Sequence, residues 1–358
     1  MKRERLIELL AGIAAARICV IGDLFLDKHA FIDPSLDEPS LETGLAAHQV
    51  VYTRKTPGAA GTVLNNLAAL GVGSVCAVSM VGVDGEGYEV FCDLVRQGIE
   101  TSGVLKSTDI VTPTYFKPMF IQPNGMAVEG NRLDFKNTSE TPANLTQALI
   151  ESIRDAAANA NAIIALDQLT EANKGVITDA MRDELAAIAD ERPALIMYAD
   201  SRAFIQKFKR MTLKCNDKEA ARIVAPDSTG DGTFSADITA KALKELEKRA
   251  GRPPFISCGA NGVMCLQNGE AILVPAARQT GPIDICGAGD ACSAGIVSAL
   301  CAGADNTEAA FMGNLAAGVT VRKLGETGTA SPREILALFD EQFGDGCRRP
   351  ICQKPAWR

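Results

Sequence analysis

The chain has 358 residues, of which 47% are apolar, 22% charged and 5% aromatic, the profile of a globular protein with about two domains, or one large α/β domain with an insertion. Its net charge of −8 argues against a nucleic-acid or acidic-membrane surface as partner. Eleven cysteines without a C-x-x-C pair, and only two histidines, argue against a zinc site and predict reduced thiols in the cytoplasm.

The N-terminal segment predicts a short amphipathic helix, because Glu8 and Arg17 interrupt the apolar run that starts at Leu6. A buried strand is expected next, over Ile18–Ile21. No stretch reaches the roughly 18 uninterrupted apolar residues that a membrane helix needs. We therefore expect neither a membrane anchor nor a cleaved signal peptide.

Helical and strand patterns alternate from residue 60 onward. Apolar residues recur at helical spacing from Ala60 to Leu70 before Gly71, and Asp84 begins a second helix that Gly98 ends. Buried strands are predicted over Val75–Val81, Ala162–Leu166, Ala194–Ala199, Met211–Cys215 and Phe255–Cys258. This alternation predicts an α/β fold with a mostly parallel sheet and helices on both faces.

Two stretches break the alternation. Residues 24–57 carry no clear helical period, and two strand patterns flank the turn signal Pro123-Asn124-Gly125. We predict a small β-sheet lid formed by about residues 24–57 and 114–133, a common means of closing a site against water.

A further hairpin around Asn268-Gly269 is expected at an edge of the main sheet. Residues 1–340 are assigned to the main domain with its lid, and residues 341–358 to a C-terminal tail.

The segment 282–295 predicts an anion-binding turn at the start of a helix. Gly287 and Gly289 permit backbone conformations closed to other residues, so the N–H groups of the turn can face outward at the positive end of the helix. Asp290 lies inside this turn, beside the expected phosphate position. The alternative is that Asp290 only caps the helix.

Other glycine-rich or nucleophile motifs fail at this segment. Cys292 stands where a dinucleotide fingerprint requires glycine or alanine, and the chain contains no P-loop motif. No histidine follows Ser293, so we expect Ser293 to be a packing residue and not the nucleophile of a hydrolase.

The segment Asp284–Gly295 resembles the D-T-x-G-A-G-D-x-x-x-A-G pattern of ribokinase-like (phosphofructokinase-B type) sugar kinases, apart from Ile285 and Cys286. Further matches follow the family's order. They are Pro57-Gly58 with Asn65-Asn66-Leu67-Ala68, Asn216-x-x-Glu219, and Ser257-Cys258-Gly259-Ala260-Asn261-Gly262. The resemblance covers nearly all of residues 17–340.

Within that family the sequence is most similar to bacterial heptose phosphate kinases. The segments that carry this likeness are Gly22–Asp27, Asn131–Phe135 and Lys323–Gly325. Ala59 and Thr62 depart from the usual glycine and asparagine, which leaves the identity of the sugar open.

The resemblance implies an ATP-dependent kinase that phosphorylates a hydroxyl of a sugar or sugar phosphate. Asp290 would be the catalytic base, and the N–H groups of Gly287, Ala288, Gly289 and Asp290 would contact the transferred phosphoryl group. The implied substrate-binding residues are Asp27, Gly58, Thr62, Asn66 and Arg132, with Lys117 as a further cation on the lid. The implied nucleotide-binding residues are Asn216, Ser257, Gly259, Gly262 and Asn314, with Glu219 holding Mg²⁺ through water.

Members of this family often bind a potassium ion, and Asp284 with the Cys286 carbonyl is the expected position. Carbonyls between Val319 and Ser331 would complete the site, and the alternative is that Asp284 ends an edge strand and binds only water. The resemblance also implies a homodimer formed through the lid.

Two other functions stay open. A nucleoside kinase of the same fold generally stacks the base on aromatic side chains, and this chain offers one tryptophan and four tyrosines. A sugar-binding regulator without catalysis is the second alternative, against which Asp290 and the intact Gly287-Ala288-Gly289 argue. Local alternatives are a plain helix start at Asn216, a turn residue at Asp27 and an exposed polar residue at Asn314.

Overall fold

The computed structural model describes residues 1–225 and 234–343. Its strands in chain order are β1 (Arg17–Gly22), β2 (Leu24–Ile32), β3 (Glu38–Pro39), β4 (Ala46–Ala47), β5 (Val50–Ala59), β6 (Ser74–Gly82), β7 (Glu100–Ser107), β8 (Thr114–Ile121), β9 (Ala127–Glu129), β10 (Leu133–Phe135), β11 (Ala162–Asp167), β12 (Ile196–Ser201), β13 (Thr212–Asn216), β14 (Phe255–Ser257), β15 (Val263–Gln267) and β16 (Glu270–Val274). Its helices are α1 (Arg3–Ile13), α2 (Ala60–Ala69), α3 (Gly85–Arg96), α4 (Ala143–Asn159), α5 (Asp179–Glu191), α6 (Asp217–Val224), α7 (Ala236–Ala250), α8 (Ala288–Cys301), α9 (Asn306–Thr320) and α10 (Pro332–Phe343).

Nine strands form the main sheet, in the order β16-β15-β14-β13-β12-β11-β1-β6-β7. The strands from β14 through β7 in this order are parallel, whereas β15 and β16 form an antiparallel hairpin at one edge. The predicted α/β architecture and the edge hairpin are confirmed. The carboxyl ends of the parallel strands meet at one side of the sheet, where ligands bind in open α/β folds.

Alternate residues of each central strand enter separate cores on the two faces of the sheet. On β1, Ile18 and Val20 pack in the core that α1, α2, α8, α9 and α10 cover, while Cys19 and Ile21 pack with α4, α5 and α7. This arrangement explains why the central strands are apolar without alternation. Among the described residues, no helix has the length and apolarity needed to cross a membrane.

A second, smaller sheet has the strand order β10-β8-β2-β5, with β9 paired to β8. Strand β2 begins at Leu24, directly after Asp23 at the carboxyl end of β1, so the small sheet is rooted where the parallel strands end. Two ion pairs join one face of the small sheet to α3: Lys28 pairs with Glu86 at 2.9 Å, and Lys55 pairs with Glu89. The separate small sheet expected from the sequence is confirmed. Helix α10 extends to Phe343, and the rest of the expected tail lies outside the described residues.

Candidate active site

A tight turn leads into α8. The Ala288 N–H donates to the Ile285 carbonyl at 3.2 Å, and Gly287 has φ 75° and ψ 0°, the values required at the second central position of a type II turn. This bond takes up one of the four amides assigned to the phosphoryl group. Within residues 1–225 and 234–343, the N–H groups of Gly287, Gly289 and Asp290 have no backbone acceptor, and they lie at the positive end of α8.

Asp290 lies in the first turn of α8 but does not cap it. Gly287 is the N-cap residue, and no side chain accepts a capping hydrogen bond there. Asp290 is half-buried, and its pKa is raised to about 7 by burial first and by Asp200 second, while Lys214 and Arg202 act in the opposite direction. A carboxyl group with a pKa near neutrality suits proton acceptance at physiological pH.

A buried ion pair lies beside the turn. Lys214 on β13 donates to Asp200 on β12 at 2.7 Å, and a methyl group at position 289 would come within 3.3 Å of Lys214 Nζ. Burial alone would lower the pKa of Lys214, but the Asp200 carboxylate outweighs it and the pKa is raised. Ser293, expected only to pack, also donates to Asp200 at 3.3 Å and accepts from the Tyr198 hydroxyl at 3.1 Å.

Asp27 on β2 faces Asp290 from the lid. Burial raises the pKa of Asp27, although Lys117 opposes this shift from 3.5 Å, and Asp27 in turn raises the pKa of Asp290. The Asp27 side chain approaches the backbone at Gly58 so closely that glycine is required there, because a methyl group would come 2.5 Å from Asp27 Oδ2. Asp27 therefore lies against Gly58 and within electrostatic reach of Asp290.

The start of α2 lies against the turn that precedes α8. Thr62 is 5% exposed and its methyl group would contact a side chain at position 287, so it lies against the turn. Asn66 is 1% exposed and its Nδ2 donates to the Thr62 carbonyl at 2.9 Å. Asn66 therefore has almost no surface with which to contact a sugar directly.

Arg132 lies just before β10 of the small sheet. Its guanidinium binds both oxygens of Asp134, at 2.6 and 2.9 Å, and lies 4.3 Å from the centre of the Tyr115 ring. Asp134 and the Tyr115 ring thus fix the Arg132 guanidinium in place. Its positive charge is close enough to Asp27 to lower the pKa of that carboxyl group.

The motif Asn216-x-x-Glu219 forms a capping box at the start of α6. Asn216 Oδ1 accepts from the Glu219 N–H at 2.8 Å, and Glu219 Oε2 accepts from the Asn216 N–H at 2.9 Å. Burial raises the pKa of Glu219, and Asp200 adds to this rise, whereas the hydrogen bond from the Asn216 N–H, Lys214 and Arg202 lower the pKa. The pair is therefore a helix start, and Glu219 shares with Asp290 the charged neighbours Asp200, Lys214 and Arg202.

The other residues assigned to the nucleotide lie at the neighbouring strand ends. Ser257 Oγ donates to the Cys215 carbonyl at 3.4 Å, and Gly262, with φ 108°, packs so closely on the Val274 carbonyl that a side chain cannot fit. Gly259 also has a positive φ, of 55°. Asn314 is 6% exposed and donates to the Val274 carbonyl at 2.8 Å, so it is a buried residue and not the exposed one that the alternative describes.

Asp284 lies in the loop before the turn and ends no strand. Its carboxylate accepts from the Cys286 N–H at 2.9 Å and from the Gly325 N–H at 3.0 Å. Nearby, the Lys323 ammonium donates to the Thr329 carbonyl at 2.6 Å. A protein cation thus contacts one of the carbonyls in the segment expected to hold a metal ion.

Known proteins resemble this chain over most of its length. A sequence profile described as pfkB family carbohydrate kinase matches residues 15–333. Curated relatives include the bifunctional protein HldE of Desulfatibacillum aliphaticivorans, 28% identical over 92% of this chain and 64% of that protein. HldE of Geobacter sulfurreducens is 28% identical over 97% of this chain and 67% of that protein. The chain spans about two thirds of the length of these relatives.

Solved structures show the same fold. The ribokinase of Giardia lamblia superposes with a TM-score of 0.67 at 16% identity, covering 91% of this chain and 99% of that chain. The ribokinase of Arabidopsis thaliana, complexed with ribose and ATP, gives 0.65 at 16% identity over 90% and 98% of the two chains. At these identities the superpositions establish the fold alone.

Proposed function

Because the chain belongs to the pfkB family of carbohydrate kinases, we propose that it transfers the γ-phosphoryl group of ATP to a hydroxyl of a sugar or sugar phosphate, with the residues described above. The observation that carries this assignment is the position of Asp290. Asp290 and the turn before it present three amides that have no backbone acceptor among the described residues, and the charge of Asp27 on the small sheet reaches Asp290. A solved relative that holds ribose and ATP together supports ATP as the donor.

Asp290 acts as the general base. Its carboxylate takes the proton of the acceptor hydroxyl as the oxygen forms its bond to the γ-phosphorus and the bond to the ADP oxygen breaks. With a pKa of about 7, the carboxylate is ionised above neutrality and can accept this proton. Asp27 binds other hydroxyls of the sugar and so orients the acceptor.

The turn stabilises the negative charge on the transferred group. The amides of Gly287, Gly289 and Asp290 point at the position where the phosphoryl oxygens develop charge, and they need no reorganisation. The Lys214 ammonium beside Gly289 adds a positive charge held in a fixed position by Asp200.

Glu219 fits a hydrated Mg²⁺ ion that accompanies ATP. The capping box uses only its Oε2, which leaves Oε1 for an outer-sphere contact of the kind Mg²⁺ favours. Bound there, the ion would neutralise charge on the nucleotide phosphates. Asn216 fixes the orientation of Glu219 through the reciprocal hydrogen bonds.

The sequence resemblance implies a potassium ion at Asp284, but the contacts of this loop do not fit a resident ion. Both carboxylate oxygens of Asp284 accept backbone hydrogen bonds, and the Lys323 ammonium contacts Thr329 and pairs with Glu334 at 2.8 Å. These contacts close the loop with protein groups alone, so we propose that the enzyme works without a monovalent cation.

The small sheet serves as a lid and as the surface of a homodimer in this proposal. Large apolar side chains stay exposed on it, among them Val50, Tyr52, Val128, Leu133 and Phe135, and an association between lids would cover such residues. The cytoplasm is the proposed compartment, because it supplies ATP and keeps thiols reduced; the nine cysteines within the described residues are free thiols.

The experiment that tests the function is a panel of sugars and sugar phosphates, assayed with ATP and Mg²⁺ for ADP release and, by ³¹P NMR, for a new phosphate ester. We expect one acceptor class to stimulate ADP release with equal formation of ester. Heptose phosphates belong in the panel because of the sequence resemblance. If no acceptor stimulated release above the hydrolysis background, the proposed function would be wrong.

A further inference from the structure

Two cysteines lie side by side in the main sheet. In the register of β1 and β6, Cys19 is directly opposite Cys76. Both side chains project from the same face, because Cys19 lies in the core that α4, α5 and α7 cover and Cys76 packs against that core. No other two cysteines are opposed in the register of neighbouring strands in the part of the chain that the structure describes. We call Cys19 and Cys76 the thiol pair.

The thiol pair has the spacing that a disulfide bond requires. Neighbouring strands lie about 4.7–4.9 Å apart, and the Cα atoms of disulfide-bonded cysteines usually lie about 4.4–6.8 Å apart. The two thiols are already in contact, because a hydrogen bond between them, more than burial, raises the pKa of Cys19. Both cysteines are free thiols in the structure. The pair is therefore in its reduced state and close enough to be oxidised within one chain.

The two thiols differ in their access to solvent. Cys19 is 0% exposed, whereas Cys76 is half-buried. The pair borders a cavity of about 370 Å³, and the opposite wall of this cavity includes Asp155 and Asn159 of α4. A small molecule that enters the cavity would therefore reach Cys76 before Cys19.

The cavity lies at the end of the sheet opposite from Asp290. Its lining includes Arg17, Ser74 and Glu100, which are the first residues of β1, β6 and β7, so the cavity is at the amino ends of these strands. Asp290, by contrast, lies within reach of Asp200, near the carboxyl end of β12. The proposed reaction therefore leaves the thiol pair without a role.

We propose that the thiol pair is a redox modification site, in which a peroxide converts Cys19 and Cys76 into a disulfide. The Cys76 sulfur gives up its proton and attacks one oxygen of hydrogen peroxide; the O–O bond breaks and hydroxide leaves, so Cys76 becomes a sulfenic acid. The Cys19 sulfur then attacks the Cys76 sulfur, and the S–S bond forms as the S–O bond breaks. Together the thiols lose two electrons and two protons, and the peroxide becomes two water molecules.

The surroundings of each thiol assign the order of these steps. The raised pKa of Cys19 keeps it protonated, and a thiol is a weaker nucleophile than a thiolate, so the first attack on peroxide falls to Cys76. Contact between the two thiols makes the second step intramolecular, which favours it over reaction with another peroxide molecule. Cys19 therefore protects Cys76 from irreversible oxidation to sulfinic and sulfonic acids.

The first experiment treats the full-length protein with excess hydrogen peroxide, blocks the remaining thiols and maps the products by mass spectrometry. Proteolysis at both basic residues and aspartate separates Cys76 from Cys92, because Asp84 lies between them. We expect a peptide that contains Cys19 to be joined to one that contains Cys76, with a mass lower than their sum by two hydrogen atoms. Dithiothreitol should separate the two peptides.

Cys286 reports within the same sample whether the peroxide was effective, because this thiol is exposed. Absence of the joined Cys19 and Cys76 peptides in a sample in which Cys286 is oxidised would overturn the proposal. A disulfide from Cys76 only to Cys347 or Cys352, which lie outside the described residues, would overturn it as well.

The second experiment compares Cys19→Ser with Cys92→Ser, the matched control at a half-buried thiol of α3. After peroxide and then dithiothreitol, Cys76 should return to a free thiol in the wild type and in Cys92→Ser. In Cys19→Ser, Cys76 should keep two or three added oxygen atoms, because no neighbouring thiol removes the sulfenic acid. Equal recovery of the Cys76 thiol in Cys19→Ser and wild type would contradict the protective role of Cys19.

Both experiments measure chemical modification by mass and need no catalytic turnover, so their outcome does not depend on the proposed function. If no acceptor supports ADP release, the proposed function fails and the peptide map still decides whether the thiol pair is oxidised. If ADP is released but the joined peptides are absent, this inference fails and the kinase assignment stands. The wild-type map also decides the question if Cys19→Ser does not fold.

Discussion

Individual charged residues in the interior set the electrostatics of the site. Asp200 and Lys214 are opposed in the register of β12 and β13 and are buried with side-chain exposures of 11% and 8%. Their paired charges form a fixed dipole beside the turn. The two residues act in opposite directions on the pKa of Asp290. The pKa of Asp290, the proposed base, therefore depends on a pair that has no assigned part in the proton transfer.

Lys214→Met should destabilise the fold by about 3–5 kcal/mol, because it leaves the Asp200 carboxylate buried without a partner. Adding Asp200→Leu to that variant should recover part of the loss, since an apolar pair carries no desolvation cost. Urea denaturation of both single variants and the double variant measures the coupling free energy. Strict additivity of the two losses would show that the ion pair is not a unit.

Sequence reasoning singled out Asp290, Gly287 and Asp27 as candidate site residues, but it did not identify Asp200 and Lys214 as partners. The first three belong to local motifs whose spacing is visible in the chain. Asp200 and Lys214 meet only through the pairing of β12 with β13, which no local pattern encodes. The available signal was a single charge inside each of two otherwise uncharged strands, which predicts a buried pair only if the strands are adjacent.

At the scale of elements, the connection from β5 into α2 carries strain. Ala59 has φ 52° and ψ −118°, a conformation that favours glycine, and it stands where the related kinases usually have glycine. The turn is nevertheless required, because it allows Gly58 to approach Asp27 and α2 to start beside Gly287. The usual glycine of the family and the positive φ of Ala59 thus both indicate that glycine is favoured at position 59.

Ala59→Gly should therefore stabilise the protein by about 1 kcal/mol through relief of backbone strain. The matched control is Ala60→Gly, at the first position of α2, where a buried methyl group is lost and the free energy of unfolding should fall. Thermal or urea unfolding of the two variants gives the comparison. Destabilisation of both variants to a similar extent would contradict the strain at position 59.

The loop of Asp284 makes a second prediction at this scale. Because Lys323 and backbone amides already close this loop, kcat in KCl should equal kcat in tetramethylammonium chloride at the same ionic strength. Stimulation of several-fold by KCl would restore the potassium site that the sequence resemblance implies.

Which elements the sequence could predict depends on how deeply they are buried. The central strands β1, β6 and β11 are covered on both faces, and their apolar runs identify them. Strand β7 was missed, because it lies at the sheet edge and its sequence from Glu100 to Ser107 contains few apolar residues. The strands of the small sheet were anticipated as a group, whereas their order and register depend on pairings between distant segments.

At the scale of the whole molecule, the parallel sheet and the small sheet supply different parts of the proposed reaction. The sheet ends and α8 carry Asp290, the proposed base, and the amides proposed to bind the phosphoryl group, while β2 follows β1 directly into the small sheet. In the proposed reaction, the small sheet therefore contributes to substrate specificity and the main sheet to phosphoryl transfer.

The exposed apolar residues of the lid predict association in solution. Light scattering at micromolar concentration should give a mass near twice the 37.8 kDa of one chain, because pairing of two lids would remove apolar surface from water. A stable monomer across that concentration range would show that the lid acts alone.

The central claim is that Asp290 is the base of a sugar or sugar-phosphate kinase, and the most direct measurement is acceptor-dependent ADP release by wild type and Asp290→Asn. General-base catalysis is typically worth roughly 10²–10⁴-fold. We predict a loss of kcat in that range for Asp290→Asn, with ATP binding by calorimetry nearly unchanged. Wild-type activity should also fall as the pH is lowered through about 7, where Asp290 takes up a proton.

Asp183→Asn, an exposed carboxylate on α5 far along the chain from the turn, is the control and should keep the wild-type rate. Full acceptor-dependent activity in Asp290→Asn, with the same dependence on pH as wild type, would contradict the account.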